Sequence, residues 1–410
     1  MDFAPTRTHG LARLAEFLPA AGRRYSEERN HDNGPAEGGR SNVSQLSPWL
    51  HAGLLDEAEV IAAVLAQHSP RAAEKFIAEV FWRLYFKGYL EQRPDLWASY
   101  GAGRDAALAA LEGNAGLHTA YAKATEGRTG IEAFDVWARE LVETGYLHNH
   151  ARMWFASIWI FTLRLDWQLG ADFFLRHLVD GDAASNTLSW RWVAGLHTRG
   201  KHYLARADNI ARFTAGRAGG PLAVTGLVED AAPLTEAEEH PRRLPDLPPP
   251  VAAQDLAQPF ALLLHDEAAH HAALALPAAP ALVIGASRPD ARSPGAVGAP
   301  ALRFTQGAME SSMAEAAETF GCPTAEWRAG EPLEPLLAAA AVERIAVPWL
   351  PTGWTHDALA PGLAALEREG RVITLLAPLS RATWPHAKAG FFGVAKQIDQ
   401  LLGECGIGGG

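Results

Sequence analysis

The sequence predicts an all-α first half followed by a smaller α/β part with a mainly parallel sheet. Three observations lead there. Apolar residues recur at three- and four-residue spacings as far as about residue 213. A stretch rich in Pro, Ala and acidic residues interrupts the chain at 214–258. Beyond it, short apolar runs alternate with helical stretches, the pattern of successive βα units. The expected organisation is therefore helical over 1–213, a linker over 214–258, α/β over 259–402 and a flexible tail over 403–410.

Residues 1–24 form a short helical lead, and 26–45 a polar, Gly-rich loop. From Pro48 the helical spacing returns, with Leu54, Val60, Ile61 and Val64, then Phe76, Ile77, Val80, Phe81 and Leu84. Helices resume at Ile131–Thr144, Ala151–Leu165 and Ala171–Val179. In the second half the strand candidates are Phe260–Leu264, Ala281–Ile284, Pro323–Trp327, Arg344–Trp349 and Val372–Leu376. Ser311–Phe320, Leu333–Ala341 and Ala358–Glu369 separate them as helices.

Composition narrows the function. A 48% hydrophobic content allows a large core in a chain of 410 residues. Two cysteines exclude a disulfide framework and a four-thiolate iron–sulfur or zinc site, and fit a reducing cytoplasm. The N-terminus has no apolar core of a secretory signal. The most apolar run, Met153–Leu163, has 11 residues, too short for a bilayer. A net charge of −11 gives no general attraction to nucleic acid, so DNA binding needs a local basic patch. Nine of the 13 Trp fall between Trp49 and Trp192. Large aromatics usually fill cores, and a cluster beside a planar cofactor is the alternative.

Four segments carry candidate chemistry. In Ser44-Gln45-Leu46-Ser47-Pro48-Trp49-Leu50, Ser then Pro marks a helix start, either a plain cap or a phosphate cradle. Glu79, Trp82 and Arg83 share one helix face, as an ion-paired surface or as the wall of a site. In Tyr146-Leu147-His148-Asn149-His150-Ala151-Arg152-Met153, Asn149 and Arg152 lie about one turn apart and can face one pocket. His148 and His150 lack a third ligand at suitable spacing, so no metal is expected. In Val179-Asp180-Gly181-Asp182-Ala183-Ala184-Ser185-Asn186, capping turns explain part of the polarity. A cofactor with a polar edge would satisfy the rest.

The order EGRTG, TGYLHNHARM, LDWQLGADFFLRHLVDGDAASN and LSWRWVAG resembles the FAD-binding domain of photolyases and cryptochromes. With Tyr25, Arg29-Asn30 and VSQLSPWL, the resemblance covers about residues 25–213. The HNHARMW and SNTLSWRW variants look closest to short photolyase-like proteins without the usual preceding antenna domain. The resemblance implies an all-α FAD-binding domain. Tyr25, Ser44, Gln45, Leu46 and Ser47 would hold the FAD phosphates and ribityl chain, with Arg83 also at the cofactor. Asn149, Arg152, Asp180, Asp182 and Asn186 would surround the isoalloxazine. Arg152 would pair with Asp180, and Asn186 would lie near N5. Glu79, Trp82, Asn149, Met153 and Trp192 match positions lining a pyrimidine-dimer pocket. Trp167 and Trp190 match the inner members of an electron-transfer chain.

The chain also departs from that pattern. The third, surface tryptophan falls near Asn114 on spacing, with Trp97, Tyr121 and Trp137 as substitutes. The basic residue expected after Asn149 is His150, which weakens a phosphate contact. Residues 259–402 vaguely resemble the family's Rossmann-like antenna domain, placed after the FAD domain instead of before it. A second chromophore there is left open. The resemblance implies light-driven repair of cyclobutane pyrimidine dimers in UV-damaged DNA by reduced FAD. The alternative is a cryptochrome-like blue-light receptor without repair.

Overall fold

Side-chain caps start many of the helices. A computed structural model of the chain describes residues 3–36, 38–198 and 200–408. Among these, every element of the first half is helical. They are α1 (Arg7–Phe17), α2 (Arg23–Glu28), α3 (Ser47–His51), α4 (Glu57–Leu65), α5 (Pro70–Glu91) and α6 (Asp95–Gly113). Then follow α7 (Ala115–Thr125), α8 (Glu132–Thr144), α9 (Asn149–Ser157), α10 (Trp167–His177), α11 (Ala183–Ala194) and α12 (Ala207–Thr214). Asp56 caps α4, accepting from the Ala58 and Glu59 amides, and Ser69 caps α5 ahead of Pro70. Asn114 caps α7, accepting from Gly116 and Leu117 at 3.0 Å each. A tryptophan at that position would leave both amides uncapped. Gly145 ends α8 at φ 70°, and a Cβ there would meet Val179 Cγ2 at 2.6 Å.

The second half holds β1 (Phe260–His265), β2 (Leu282–Ala286), α13 (Ala299–Phe320), β3 (Thr324–Glu326) and α14 (Glu334–Ala339). It continues with β4 (Arg344–Pro348), α15 (Trp354–Arg368), β5 (Val372–Leu375), α16 (Pro378–Thr383), α17 (Phe392–Ala395) and α18 (Ile398–Glu404). The five strands form one parallel sheet in the order β3-β2-β1-β4-β5. Ala261 aligns with Leu282, and Phe260 with Arg344. Strand order reverses between β1 and β4, the switch point of a doubly wound sheet. The period of two splits β1 between two faces. Leu262 and Leu264 pack with residues of α1–α5, whereas Ala261 and Leu263 pack with Leu359 and Leu363 of α15. One core cluster therefore runs from Phe3 to Leu402 and joins the first helices to the sheet. A separate one gathers Trp137, Trp154, Trp159, Trp190 and Trp354.

Two expectations are refined. The 214–258 segment is extended but lies against the helices: Leu234 N donates to Ala194 O, and Arg243 N to Gln92 O. The expected tail begins later than residue 403. Helix α18 runs to Glu404, Leu402 is buried, and Ile407 N donates to Leu402 O. Of the expected flexible tail, Gly409 and Gly410 lie outside the described residues. Among the described residues, no helix is long and apolar enough to cross a membrane.

Candidate functional site

The loop Leu178–Asp182, between α10 and α11, is held by helix chemistry and by a distant arginine. Asp182 caps α11, its Oδ1 accepting from Ser185 N at 2.6 Å. Two residues earlier, Asp180 Oδ2 takes a hydrogen bond from Arg152 Nη2 at 2.9 Å. Burial alone raises the Asp180 pKa, but the Arg152 guanidinium outweighs it and the net shift is downward. Asp180 Oδ1 is buried without a hydrogen-bond partner. The Ser47 hydroxyl acts on the same carboxylate and helps to lower its pKa, and a polar ligand would supply the donor that Oδ1 lacks. Arg152 itself is steadied by Leu147 O at 3.0 Å and lies 5.3 Å from the Tyr146 ring centroid.

Of the other residues singled out in the sequence, Ser47 acts on Asp180 directly. The 44–47 loop is pinned by Arg13, which donates to Ser44 O and Val43 O at 2.8 Å each. Gln45 adopts φ 56°, a conformation side chains rarely take. Ser44 and Ser47 are half-buried, and Gln45 and Leu46 are buried. Tyr25 is buried against Phe17 and Phe76, and burial pushes its pKa up. Glu79 keeps 40% of its side chain accessible, yet burial raises its pKa, with Arg29 3.9 Å away. An accessible but poorly solvated carboxyl marks a recess rather than an open surface. Asn186 Nδ2 donates to Ala171 O at 2.8 Å, which leaves Oδ1 as its acceptor. Asn149 is exposed at the start of α9, and Met153 is half-buried one turn on.

Other residues of the set are engaged elsewhere. Arg83 Nε binds Glu57 at 2.9 Å and its Nη1 lies 3.4 Å from Asp182 Oδ2. Trp82 stacks on Phe391 with centroids 4.1 Å apart. Trp192 stacks on Tyr203 at 5.9 Å rather than on Trp82. Trp167 and Trp190 are buried at the α10–α11 packing, where Arg191 lies 5.9 Å from the Trp167 centroid. His148 is buried and held near pKa 4 by burial, while His150 stacks on Trp154 at 4.3 Å.

Sequence reasoning missed a buried charge cluster. Lys87 Nζ lies 3.2 Å from Asp182 Oδ2 and 2.7 Å from Glu267 Oε2, with His51 Nδ1 3.8 Å from each carboxylate. Burial lowers the Lys87 pKa, but the two carboxylates outweigh it and the net shift is upward. Among the described residues, His51, Asp182 and Glu267 are the one group spaced to hold a metal ion. The Lys87 ammonium already neutralises the same oxygens. Lys87 lies one turn beyond Arg83 on α5, a spacing visible in the sequence. Glu267, at the end of β1, gave no such signal.

The donor set suits FAD: an arginine–carboxylate pair, an unpartnered buried oxygen, an amide acceptor and a strained hydroxyl-bearing loop. Residues 76–216 match the family described as FAD binding domain of DNA photolyase. The chain is 35% identical over 181 residues to a deoxyribodipyrimidine photo-lyase of Streptomyces griseus, covering 41% of this chain and 38% of that protein. It is 35% identical over 198 residues to one of Thermus thermophilus, covering 47% of this chain and 43% of that protein. It thus spans less than half the length of these relatives. A class III photolyase structure from Agrobacterium tumefaciens aligns with TM-score 0.42 and 29% identity, over 51% of this chain and 42% of that one. The segment 76–216, which contributes Arg152, Asp180 and Asn186, is thus the part of the chain that is similar to FAD-binding domains of DNA photolyase.

Proposed function

We propose that this protein repairs cyclobutane pyrimidine dimers in UV-damaged DNA, using FAD and blue light. The observation that carries the reading is the Arg152–Asp180 pair, with its buried unpartnered oxygen, inside the matched FAD-binding segment. When bound and reduced, FAD supplies an electron to the lesion under light. In this reading residues 1–213 form an all-α FAD-binding domain. Residues 259–402 form an α/β domain resembling an antenna domain, after rather than before it, and a cytoplasmic setting suits the two free cysteines.

The residues then have separable tasks. Tyr25, Ser44, Gln45, Leu46 and Ser47 bind the phosphates and ribityl chain, with Arg83 steadying the same end. Arg152 and Asp180 orient the ring system, with Asp182 beside them. Asn186 offers Oδ1 to a ring N–H and, being an amide, cannot exchange a proton there. Asn149, Met153, Trp82 and Trp192 enclose the flipped-out lesion. Glu79, with its raised pKa, donates or shares a proton at the lesion carbonyls.

One observation favours the alternative, a blue-light receptor without repair. Phe391 covers one face of the Trp82 ring, which would otherwise be open to a base. The deciding experiment uses the purified protein with reduced flavin under blue light. Loss of dimers from single- or double-stranded DNA supports repair. Persistent dimers in both, with FAD retained, favour the receptor, and a colourless protein that takes up no FAD removes both readings.

A further inference from the structure

The loop that carries Asp180 is held from two sides. On the helical side, Val179 N donates to Gly145 O at 2.8 Å, and Arg152 binds the Asp180 side chain. The α/β half holds the other side through two backbone carbonyls. Arg292, from the turn Pro289–Arg292 that follows β2, donates from Nη1 to Leu178 O at 3.1 Å. Trp354, the first residue of α15, donates from Nε1 to Gly181 O at 3.2 Å. Asp180 lies between the two carbonyls. Gly181 lets the guanidinium approach, since a Cβ there would meet Arg292 Nη1 at 3.0 Å. Gly353 does the same for α15, since a Cβ would meet Ala183 Cβ at 2.5 Å. Arg292 is only 1% exposed, its Nη2 donates to Thr305 Oγ1 at 2.9 Å, and its Nε has no partner. Among the described residues no carboxylate forms an ion pair with it, and Asp266, Glu267 and Asp180 act on its charge only from a distance. It has instead the indole of Trp354, with the centroid 5.1 Å away, and the carbonyl end of α10. Burying a guanidinium without a carboxylate is costly.

We propose that Arg292 and Trp354 are positioning residues for Asp180: they fix the carbonyls on either side of it and so set the direction in which its carboxylate meets the cofactor. The proposal rests on the flavin reading above. With Leu178 O and Gly181 O pinned, the chain between them has little freedom. Asp180 Oδ2 therefore stays on Arg152, and Oδ1 stays open to a donor on the ligand. A plain C-terminal cap of α10 would account for Arg292 alone. It does not account for Trp354, which pins a carbonyl beyond the end of that helix. The helical half thus holds an incomplete flavin site, and the α/β half completes it.

The test compares Trp354→Phe, which keeps a ring and loses the donor, with Arg292→Lys, which keeps the charge and loses the fork. In flavin-free protein, the carbon-13 resonance of the Asp180 carboxyl should titrate at a higher pH in both variants than in wild type, because a loosened loop weakens its pairing with Arg152. Both should also bind FAD at least about tenfold more weakly, about 1.4 kcal/mol. Ser293→Ala is the control. It removes the 2.7 Å hydrogen bond from Ser293 Oγ to Asp172 Oδ1, which joins the same two halves away from the loop. Its Asp180 titration and FAD affinity should match wild type even if its stability falls. An Asp180 titration unchanged in both loop variants overturns the proposal and leaves Arg292 a helix cap. An equal shift in Ser293→Ala overturns it too, because the whole junction would then govern the loop. A shifted titration with undiminished FAD affinity overturns the proposal alone. Wild-type protein that takes up no FAD removes the flavin reading itself, and this proposal with it.

Discussion

The indole of Trp82 lies face to face on the ring of Phe391, with centroids 4.1 Å apart and planes inclined by 13°. The two residues are 309 positions apart in a chain of 410. The contact is reinforced nearby, where Tyr85 Oη donates to Ala389 O at 2.6 Å and Arg93 Nη2 to Lys388 O at 2.6 Å. The segment that leads into α17 is thereby laid over one face of α5.

Phe391→Ala should uncover Trp82. Quenching of tryptophan fluorescence by acrylamide should increase, and the loss in stability should be about 1–2 kcal/mol, since the ring is only half-buried. If Trp82 lines a lesion pocket, affinity for dimer-containing DNA rises in the same variant. Unchanged quenching would show that Phe391 does not shield it.

Arg152→Ala strips the partner from buried Asp180. The expected cost is near 3 kcal/mol, the lower end for a broken buried pair because Arg152 keeps 23% of its side chain accessible. FAD content after purification should fall with it. Full FAD retention would place the cofactor away from this pair. The Asp180 pKa is depressed by folding, so the pair stabilises above the carboxylate's unfolded value and the contribution disappears as pH falls through the folded one.

Lys87→Met leaves Asp182 and Glu267 facing each other without their shared cation. Urea unfolding should show a loss of about 3–5 kcal/mol. Adding Glu267→Gln should recover part of it, because the carboxylate that lost its ammonium is removed while Asp182 keeps Arg83 3.4 Å away. Equal additive losses would mean that the ammonium and the Glu267 carboxylate are not coupled.

His148 supplies a pH dependence with a known sign. Burial lowers its pKa from 6.5 to about 4, so the neutral ring stabilises the fold above pH 6.5. That contribution is lost as pH falls through about 4. His148→Gln should abolish this component. The stability difference between wild type and variant should shrink by about 3 kcal/mol from pH 7 to pH 4. A constant difference would mean that the ring protonates normally in the folded protein.

The sequence by itself determined the local elements and the donors they carry. Spacing and caps are short-range properties, so α4, α5 and the buried strands β1 and β4 were legible from a few residues each. The Asp180–Asn186 run was legible as a polar stretch in an apolar setting, and its family resemblance paired Asp180 with Arg152. Even the missing tryptophan near position 114 has a local reason, since Asn114 is a helix cap. Tertiary structure alone decided which distant groups meet. Glu267 reaches Lys87, Phe391 covers Trp82 and Asp357 accepts a hydrogen bond from Trp97 because the parallel sheet packs onto α1–α5 and α15 lies against α6. No spacing along the chain encodes those meetings. They follow from burying two faces of one sheet, which brings side chains hundreds of residues apart within hydrogen-bond reach.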